Sequence, residues 1–159
     1  MPHRYYNLDD DLDYESLKDF IEFTNESPAD TYYLNTGGGL INLVPVFVEI
    51  INENQTEVVA YDRVCSAGVS LLHGVNQKTI LPGCIGMVHL SSVYLKNTTN
   101  NTFENNLNEI QLESMSLLEE DLDLAIQTVL TKDELKRYNN HEDVWLSGES
   151  LEKLVNHRI

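Results

Sequence analysis

Residues 57–72 of this chain read EVVAYDRVCSAGVSLL, and this segment gives the strongest indication of the fold class. Its first part, Glu57 to Tyr61, has the β-branched and aromatic residues that are typical of a strand. Its last part, Ser66 to Leu72, is small and apolar without a charge, which predicts a buried helix packed closely against a neighbour. Ser66 stands at the join. On its own it is most simply a helix N-cap, and the alternative is a nucleophile presented at the helix N-terminus.

Helices and strands alternate on both sides of this stretch. Hydrophobic spacing predicts helices over 14–24, 40–52 and 107–129, and strands over 31–35, 79–81, 85–89 and 144–146. Thr131 and Glu134 form a capping box at the start of a further helix, and Ser147 caps a last helix over 148–155. The asparagine-rich stretch Lys96 to Asn108 predicts a loop. Without a repeat or a linker, we expect one α/β domain over residues 1–159.

The composition excludes several classes of protein. The chain has 159 residues, 42% of them apolar, which suffices for one core. Its 26 acidic and 10 basic residues give a net charge of −16, which would repel nucleic acid and anionic lipid. No apolar run approaches the roughly 20 residues of a membrane helix, and Met1 to Asp13 lacks the features of a secretory signal. We therefore expect a cytoplasmic protein without nucleic-acid or membrane partners.

Metal or disulfide chemistry finds no support in the pattern. Cys65 and Cys84 lie among apolar residues and outside any metal-binding spacing, so two buried free thiols are expected. The acidic run that begins at Asp9 suggests calcium, but an EF-hand needs glycine sixth and glutamate twelfth, where this chain has Tyr14 and Phe20. We expect a solvated acidic turn there, and no metal or other cofactor.

Three further features could carry chemistry. Gly37-Gly38-Gly39 lies between a strand and a helix, where backbone N–H groups can face a ligand, but it matches neither a Walker loop nor a dinucleotide fingerprint. His89 ends the apolar strand IGMVH, and Asp143 precedes VWLS. Taken singly, these are a tight turn, a strand-end histidine and a surface carboxylate.

Taken together and in this order, the motifs resemble those of ClpP-type (caseinolytic) serine peptidases, in a short, divergent and perhaps phage-encoded form. YLNTGGG at 33–39 corresponds to the family's strand ending Asn-Ser-Pro-Gly-Gly, and VCSAGVSLL at 64–72 to its nucleophile motif. LPGCIGMVH at 81–89 corresponds to its histidine motif, and DVWLS at 143–147 to its aspartate motif. The resemblance runs from about Tyr6 to Val155. It implies a ClpP/crotonase-like spiral of ββα units with a protruding handle helix, the handle covering about residues 90–129.

The resemblance also implies an activity and a set of roles. The chain would be a serine endopeptidase that cleaves peptides or unfolded proteins without a cofactor. Ser66 would be the nucleophile, His89 the general base, and Asp143 the group that orients the imidazole. Backbone N–H groups of Gly38 and Ala67 would stabilise the oxyanion.

Departures from the family pattern keep other interpretations open. Gly37 stands where the family has proline, and Leu90-Ser91-Ser92-Val93 does not match the segment that follows the family's histidine. These differences favour a catalytically weak or inactive subunit that assembles with or modulates a host Clp protease. A crotonase-like thioester enzyme shares the architecture but not this residue set. His73 and His141 are rival bases, and Glu142 is a rival carboxylate.

The partners that the resemblance implies are copies of the chain in stacked rings, and an AAA+ unfoldase or host Clp subunits. The size of the rings stays open between six and seven subunits, with seven favoured. The compartment is the cytoplasm, of the host if the chain is viral. The apolar stripe of the helix over 107–129 would join two rings, and it comprises Ile110, Leu117, Leu118, Leu122 and Ile126. A charge placed at Leu118 or Leu122 is therefore expected to split double rings.

Overall fold

A computed structural model of the chain describes residues 2–90 and 109–158, and these residues form a mixed α/β fold. The strands are β1 (Tyr5–Leu8), β2 (Thr31–Thr36), β3 (Glu57–Cys65), β4 (Lys78–Ile80), β5 (Ile85–Val88) and β6 (Val144–Leu146). The helices are α1 (Tyr14–Glu26), α2 (Val44–Glu53), α3 (Ala67–Gly74), α4 (Glu109–Val129), α5 (Lys132–Asn139) and α6 (Gly148–Asn156). A 3-10 turn, Ile41–Leu43, leads into α2.

The sheet is organised around β3, which has two parallel partners on one side. Neighbouring strands run in the order β1-β2-β3-β5-β6. The first half of β3 pairs with β4 through Val58 to Ala60, and its second half pairs with β5 through Arg63 to Cys65. β6 is antiparallel to β5. The carboxyl ends of β3 and β5 therefore meet the amino end of β6 at one edge of the sheet.

The core forms where helices cover this sheet. Phe20 of α1 is fully buried and contacts both Tyr32 of β2 and Phe47 of α2, which are also fully buried. α3 is buried along its length, as its uncharged sequence predicts. Gly68 lets α3 approach the sheet, because a Cβ at this position would lie 2.5 Å from Cγ2 of Thr36. This contact fixes the first turn of α3, and with it the position of Ser66.

Most predicted elements are confirmed, and the differences have physical reasons. The predicted helix start at Leu40 is wrong: α2 begins at Val44, so that Pro45 lies in the first turn, where its missing N–H costs no helical hydrogen bond. The strand predicted over 57–61 continues to Cys65. β1 was not predicted, because its residues alternate poorly and its pairing with β2 supplies the order. The predicted loop over 96–108 lies outside the described residues, as does the predicted start of the long helix at residue 107.

The apolar stripe of α4 packs largely against this protomer's own core. Leu122 and Ile126 are buried there, and Leu118 is half-buried against the same cluster. Leu117 and Leu124 are exposed instead. The prediction that Leu122 faces an opposing copy is therefore wrong, whereas the contact predicted for the half-buried Leu118 stays a prediction.

Two other expectations can be compared with the structure. Cys65 and Cys84 are both buried free thiols, as predicted. Burial raises the pKa of the Cys84 thiol to about 11, so it is a poor nucleophile at neutral pH.

None of the described helices combines the length and the apolar character that crossing a membrane requires.

Candidate active site

Ser66 occupies a strained turn between β3 and α3. Its backbone angles are φ 53° and ψ −118°, a region that residues other than glycine seldom adopt. The turn is held from both sides, because the Ser66 N–H donates to the carbonyl O of Met87 (2.8 Å) and its own carbonyl accepts from the Val69 N–H (2.9 Å). Ser66 occupies the N-cap position of α3, as the simplest interpretation predicts, but its side chain makes no capping hydrogen bond to the helix, so capping does not account for the hydroxyl.

His89 and Asp143 lie in line with the Ser66 hydroxyl. Ser66 Oγ is 2.7 Å from His89 Nε2, and His89 Nδ1 is 3.2 Å from Asp143 Oδ1. The sheet explains the alignment, because Ser66 follows β3, His89 follows β5 and Asp143 precedes the antiparallel β6. Three residues that are far apart in sequence thus meet at one sheet edge, in the order hydroxyl, imidazole, carboxylate.

Solvent reaches this line of side chains unequally. The side chain of Asp143 is 58% exposed and that of His89 is 36% exposed. Water and salt therefore screen the attraction between the Asp143 carboxylate and a protonated imidazole more than they would in a buried pair. The carboxylate can still orient the imidazole through its hydrogen bond to Nδ1.

The rival residues have other environments. His73 is buried at the end of α3, with Nε2 3.1 Å from the carbonyl O of His157. Burial, assisted by the charge of Arg158, lowers the pKa of His73 to about 4, which marks a neutral structural histidine. His141 lines the same cavity as Ser66. The hydrogen bond it makes is through its backbone N–H, which donates to the Tyr138 carbonyl O. Among the described histidines, His89 is the one hydrogen-bonded to a serine.

The glycine turn packs directly against Ser66. Gly38 has φ +112°, and a Cβ there would lie 3.0 Å from both the Cys65 carbonyl O and Ser66 Cβ. Its N–H donates to Oγ1 of Thr36 (3.1 Å), a buried hydroxyl that in turn donates to the Asp10 carbonyl (2.9 Å). The donor that the resemblance assigned to the oxyanion is therefore already occupied.

Gly39 takes the exposed place in this turn. It lines the cavity with Ser66, which Gly38 does not, and in the described part of the chain its N–H has no acceptor. Leu12 holds the turn on the other side: its N–H donates to the Gly38 carbonyl (2.8 Å), and its carbonyl accepts from the Leu40 N–H (2.8 Å). The sequence could not separate the three glycines, since nothing in it shows which N–H Thr36 binds.

A cavity of about 730 Å³ opens beside Ser66 and His89. A cavity of this volume can hold a ligand as large as several amino-acid side chains. Part of its wall is acidic, from three carboxylates of α4 that the sequence analysis did not single out. The lining residues are Gly39, Leu40, Ile41, Asn42, Ser66, Ser70, Val88, His89, Leu90, Ser116, Glu119, Glu120, Leu122, Asp123, Ile126, Tyr138 and His141.

Solved structures of ClpP proteases share this fold over most of the chain. ClpP1 from Listeria monocytogenes has a TM-score of 0.62 and 17% identity, and the match covers 95% of this chain and 86% of that protein. The ClpP protease catalytic domain from Plasmodium falciparum has a TM-score of 0.58 and 16% identity, with 96% and 82% covered. No family model and no curated protein matches the sequence. The chain therefore has the ClpP fold, as the sequence motifs indicated, and at these identities the likeness concerns the fold alone.

Proposed function

We propose that the chain is a ClpP-type serine peptidase with Ser66 as nucleophile. The observation that carries this proposal is the 2.7 Å contact between Ser66 Oγ and His89 Nε2, at the mouth of a cavity. A strained serine at a strand-to-helix turn supports it, because this geometry presents a hydroxyl to a substrate. The ClpP fold supports it as well.

The geometry suits acyl transfer. As Ser66 Oγ bonds to the peptide carbonyl carbon, its proton passes to His89 Nε2, and the Asp143 carboxylate stabilises the imidazolium through Nδ1. His89 then gives that proton to the leaving amine. Water, activated by His89 in the same way, hydrolyses the acyl-enzyme and releases the second product.

The oxyanion of each tetrahedral intermediate needs backbone donors. Ala67 is the first residue of α3, so its N–H has no acceptor within the helix and lies at the positive end of the helix dipole. We assign Gly39 as the second donor in place of Gly38, because Gly39 faces the cavity and Gly38 is bonded to Thr36. Loss of one such donor typically costs about 3–4 kcal/mol of transition-state stabilisation.

Labelling by a fluorophosphonate probe, followed by mass spectrometry of the peptides, tests the nucleophile. We expect the label on Ser66, and neither label nor turnover of a short fluorogenic peptide in Ser66→Ala. Ser70→Ala is the matched control for labelling and should keep the label on Ser66, since Ser70 lines the same cavity without contacting His89. Undiminished turnover in Ser66→Ala would overturn the proposal.

A second candidate is a catalytically weak subunit that assembles with or modulates a host Clp protease. The exposure of the Asp143 side chain favours it, because a screened carboxylate stabilises the imidazolium less. Wild-type turnover that does not respond to Asp143→Asn, together with co-purification with host Clp subunits, would favour this candidate over the first.

Assembly into stacked rings is the quaternary arrangement we propose, with cleavage inside the enclosed chamber and unfolded substrate delivered by an AAA+ partner. Exposed apolar side chains support it: Leu117 and Leu124 on α4, Ile85 on β5 and Trp145 on β6. At −16 per subunit, the rings must offset strong repulsion, so salt should strengthen them.

A further inference from the structure

We propose that the cavity beside Ser66 selects peptides with a lysine or arginine at the residue whose carbonyl carbon Ser66 attacks. The proposal rests on the proposed function and names its substrate class. What carries it is one juxtaposition: Glu119, Glu120 and Asp123 line the same cavity as the hydrogen-bonded Ser66 and His89.

The cavity has the two chemical parts that a long basic side chain requires. The carboxylates come from positions i, i+1 and i+4 of α4, and the first and last of these are neighbours on one helix face. Leu122 and Ile126 from the same helix provide apolar wall for the methylene groups of the substrate side chain. Neither lysine nor arginine occurs among the described residues that line it. A guanidinium or ammonium group would therefore meet carboxylates without a competing lysine or arginine from the described residues.

Glu119 is the carboxylate that a substrate cation would stabilise most. It is half-buried, and Ser70 lines the same cavity. Burial raises the pKa of Glu119, and the negative charge of Asp123 adds to the rise. A bound cation removes this repulsion and forms charge-assisted hydrogen bonds to both carboxylates.

The phenol of Tyr138, which also lines the cavity, is affected by the same negative charges. Burial, together with the charges of Asp123 and Glu119, raises the pKa of Tyr138 to about 12. His89 and His141 are the other titratable groups facing the space from outside α4. An acidic helix face usually belongs to solvent, and here its residues line the same cavity as a candidate nucleophile.

Four fluorogenic peptides that differ only at this residue test the selectivity. The residue is arginine, citrulline, norleucine or glutamate, and citrulline keeps the shape of arginine without its charge. We expect kcat/KM for arginine to exceed that for citrulline at least tenfold, and the glutamate peptide to be cleaved most slowly. Glu119→Gln and Asp123→Asn should each reduce the arginine-to-citrulline ratio severalfold. Asp121→Asn is the matched control, because Asp121 is exposed on the same helix and does not line the cavity.

A binding measurement separates this inference from the function on which it rests. If Ser66 reacts with the fluorophosphonate but arginine and citrulline peptides are cleaved equally, the inference is overturned and the proposed function stands. If Ser66 does not react, the proposed function fails, and titration calorimetry with benzamidine and neutral benzamide decides the inference. Benzamidine binding at least tenfold tighter, and weakened by Asp123→Asn but not by Asp121→Asn, supports it. Equal binding of the two probes overturns it.

Discussion

Replacing Ser66 by glycine should give a more stable protein than replacing it by alanine, while both changes remove the nucleophile. Ser66 holds φ 53° and ψ −118°, and such a conformation costs a residue with a side chain about 1–3 kcal/mol. Glycine adopts positive φ at no steric cost. The serine is therefore kept in this turn at the expense of folding free energy, as expected where a reactive group is held in place by its surroundings.

Ser66→Ala provides the reference from which the magnitude follows. Both variants lose the hydrogen bond between Ser66 Oγ and His89 Nε2, so their difference reports on the backbone alone. Glycine relieves backbone strain that costs alanine about 1–3 kcal/mol in the folded state. The greater conformational entropy of glycine in the unfolded chain offsets about 0.5–1 kcal/mol of this gain. Ser66→Gly should thus exceed Ser66→Ala by about 1 kcal/mol in the free energy of unfolding, which at this chain length is roughly 2–4 °C in Tm.

Urea unfolding followed by circular dichroism measures this difference, provided the dependence on denaturant is equal in both variants. Ser70→Gly and Ser70→Ala form the matched pair, because Ser70 is a buried serine inside α3. There glycine should be the less stable variant by about 1 kcal/mol, since its helix propensity is lower. A Ser66→Gly variant no more stable than Ser66→Ala would refute the argument from backbone strain.

The remaining predictions concern packing, pH and assembly. Gly68→Ala should destabilise the protein by about 1–3 kcal/mol through its clash with Thr36, and an unchanged urea midpoint would contradict this. The folded pKa of His73, about 4, lies below its ordinary 6.5, so the unfolded chain takes up the proton first. Stability should therefore fall as the pH drops from about 6.5 to 4, and less so in His73→Gln; equal urea midpoints along both profiles would argue against it. Leu124→Glu should lower the sedimentation coefficient of a folded protein, whereas Leu122→Glu should unfold it, because only Leu122 is buried. An unchanged coefficient in Leu124→Glu would remove α4 from the subunit contact.

The candidate nucleophile could be located in the sequence, but its conformation could not. The change from a strand pattern to a small, apolar helix places a turn at Ser66, and the order of the motifs singles out His89 and Asp143. The positive φ of Ser66 comes from partners far along the chain, among them the Met87 carbonyl that fixes its N–H. The helix and strand propensities of the residues around Ser66 do not reveal such a constraint, so the sequence leaves the N-cap interpretation open.

Periodicity also leaves open what covers an apolar face. The spacing of Leu122 and Ile126 correctly predicts a helix, yet the same spacing suits a subunit contact and this protomer's own core. The acidic wall of the cavity could not be predicted from the sequence for a similar reason. Glu119 and Asp123 resemble a solvated helix face until the fold places them in the wall of the cavity that Ser66 also lines.

The two hydrogen bonds by which Leu12 holds the glycine turn connect the active site to the edge of the sheet. Local opening of this edge should therefore affect the reactivity of the site. In the described part of the chain, β1 has four residues and one neighbouring strand, so it should open at a lower free-energy cost than the central strand β3. When it detaches together with Leu12, the turn loses both hydrogen bonds that Leu12 makes with Gly38 and Leu40. Hydrogen exchange at the Leu12 and Leu40 amides would then report, in the resting protein, the fraction of molecules whose turn is intact and ready to receive a substrate.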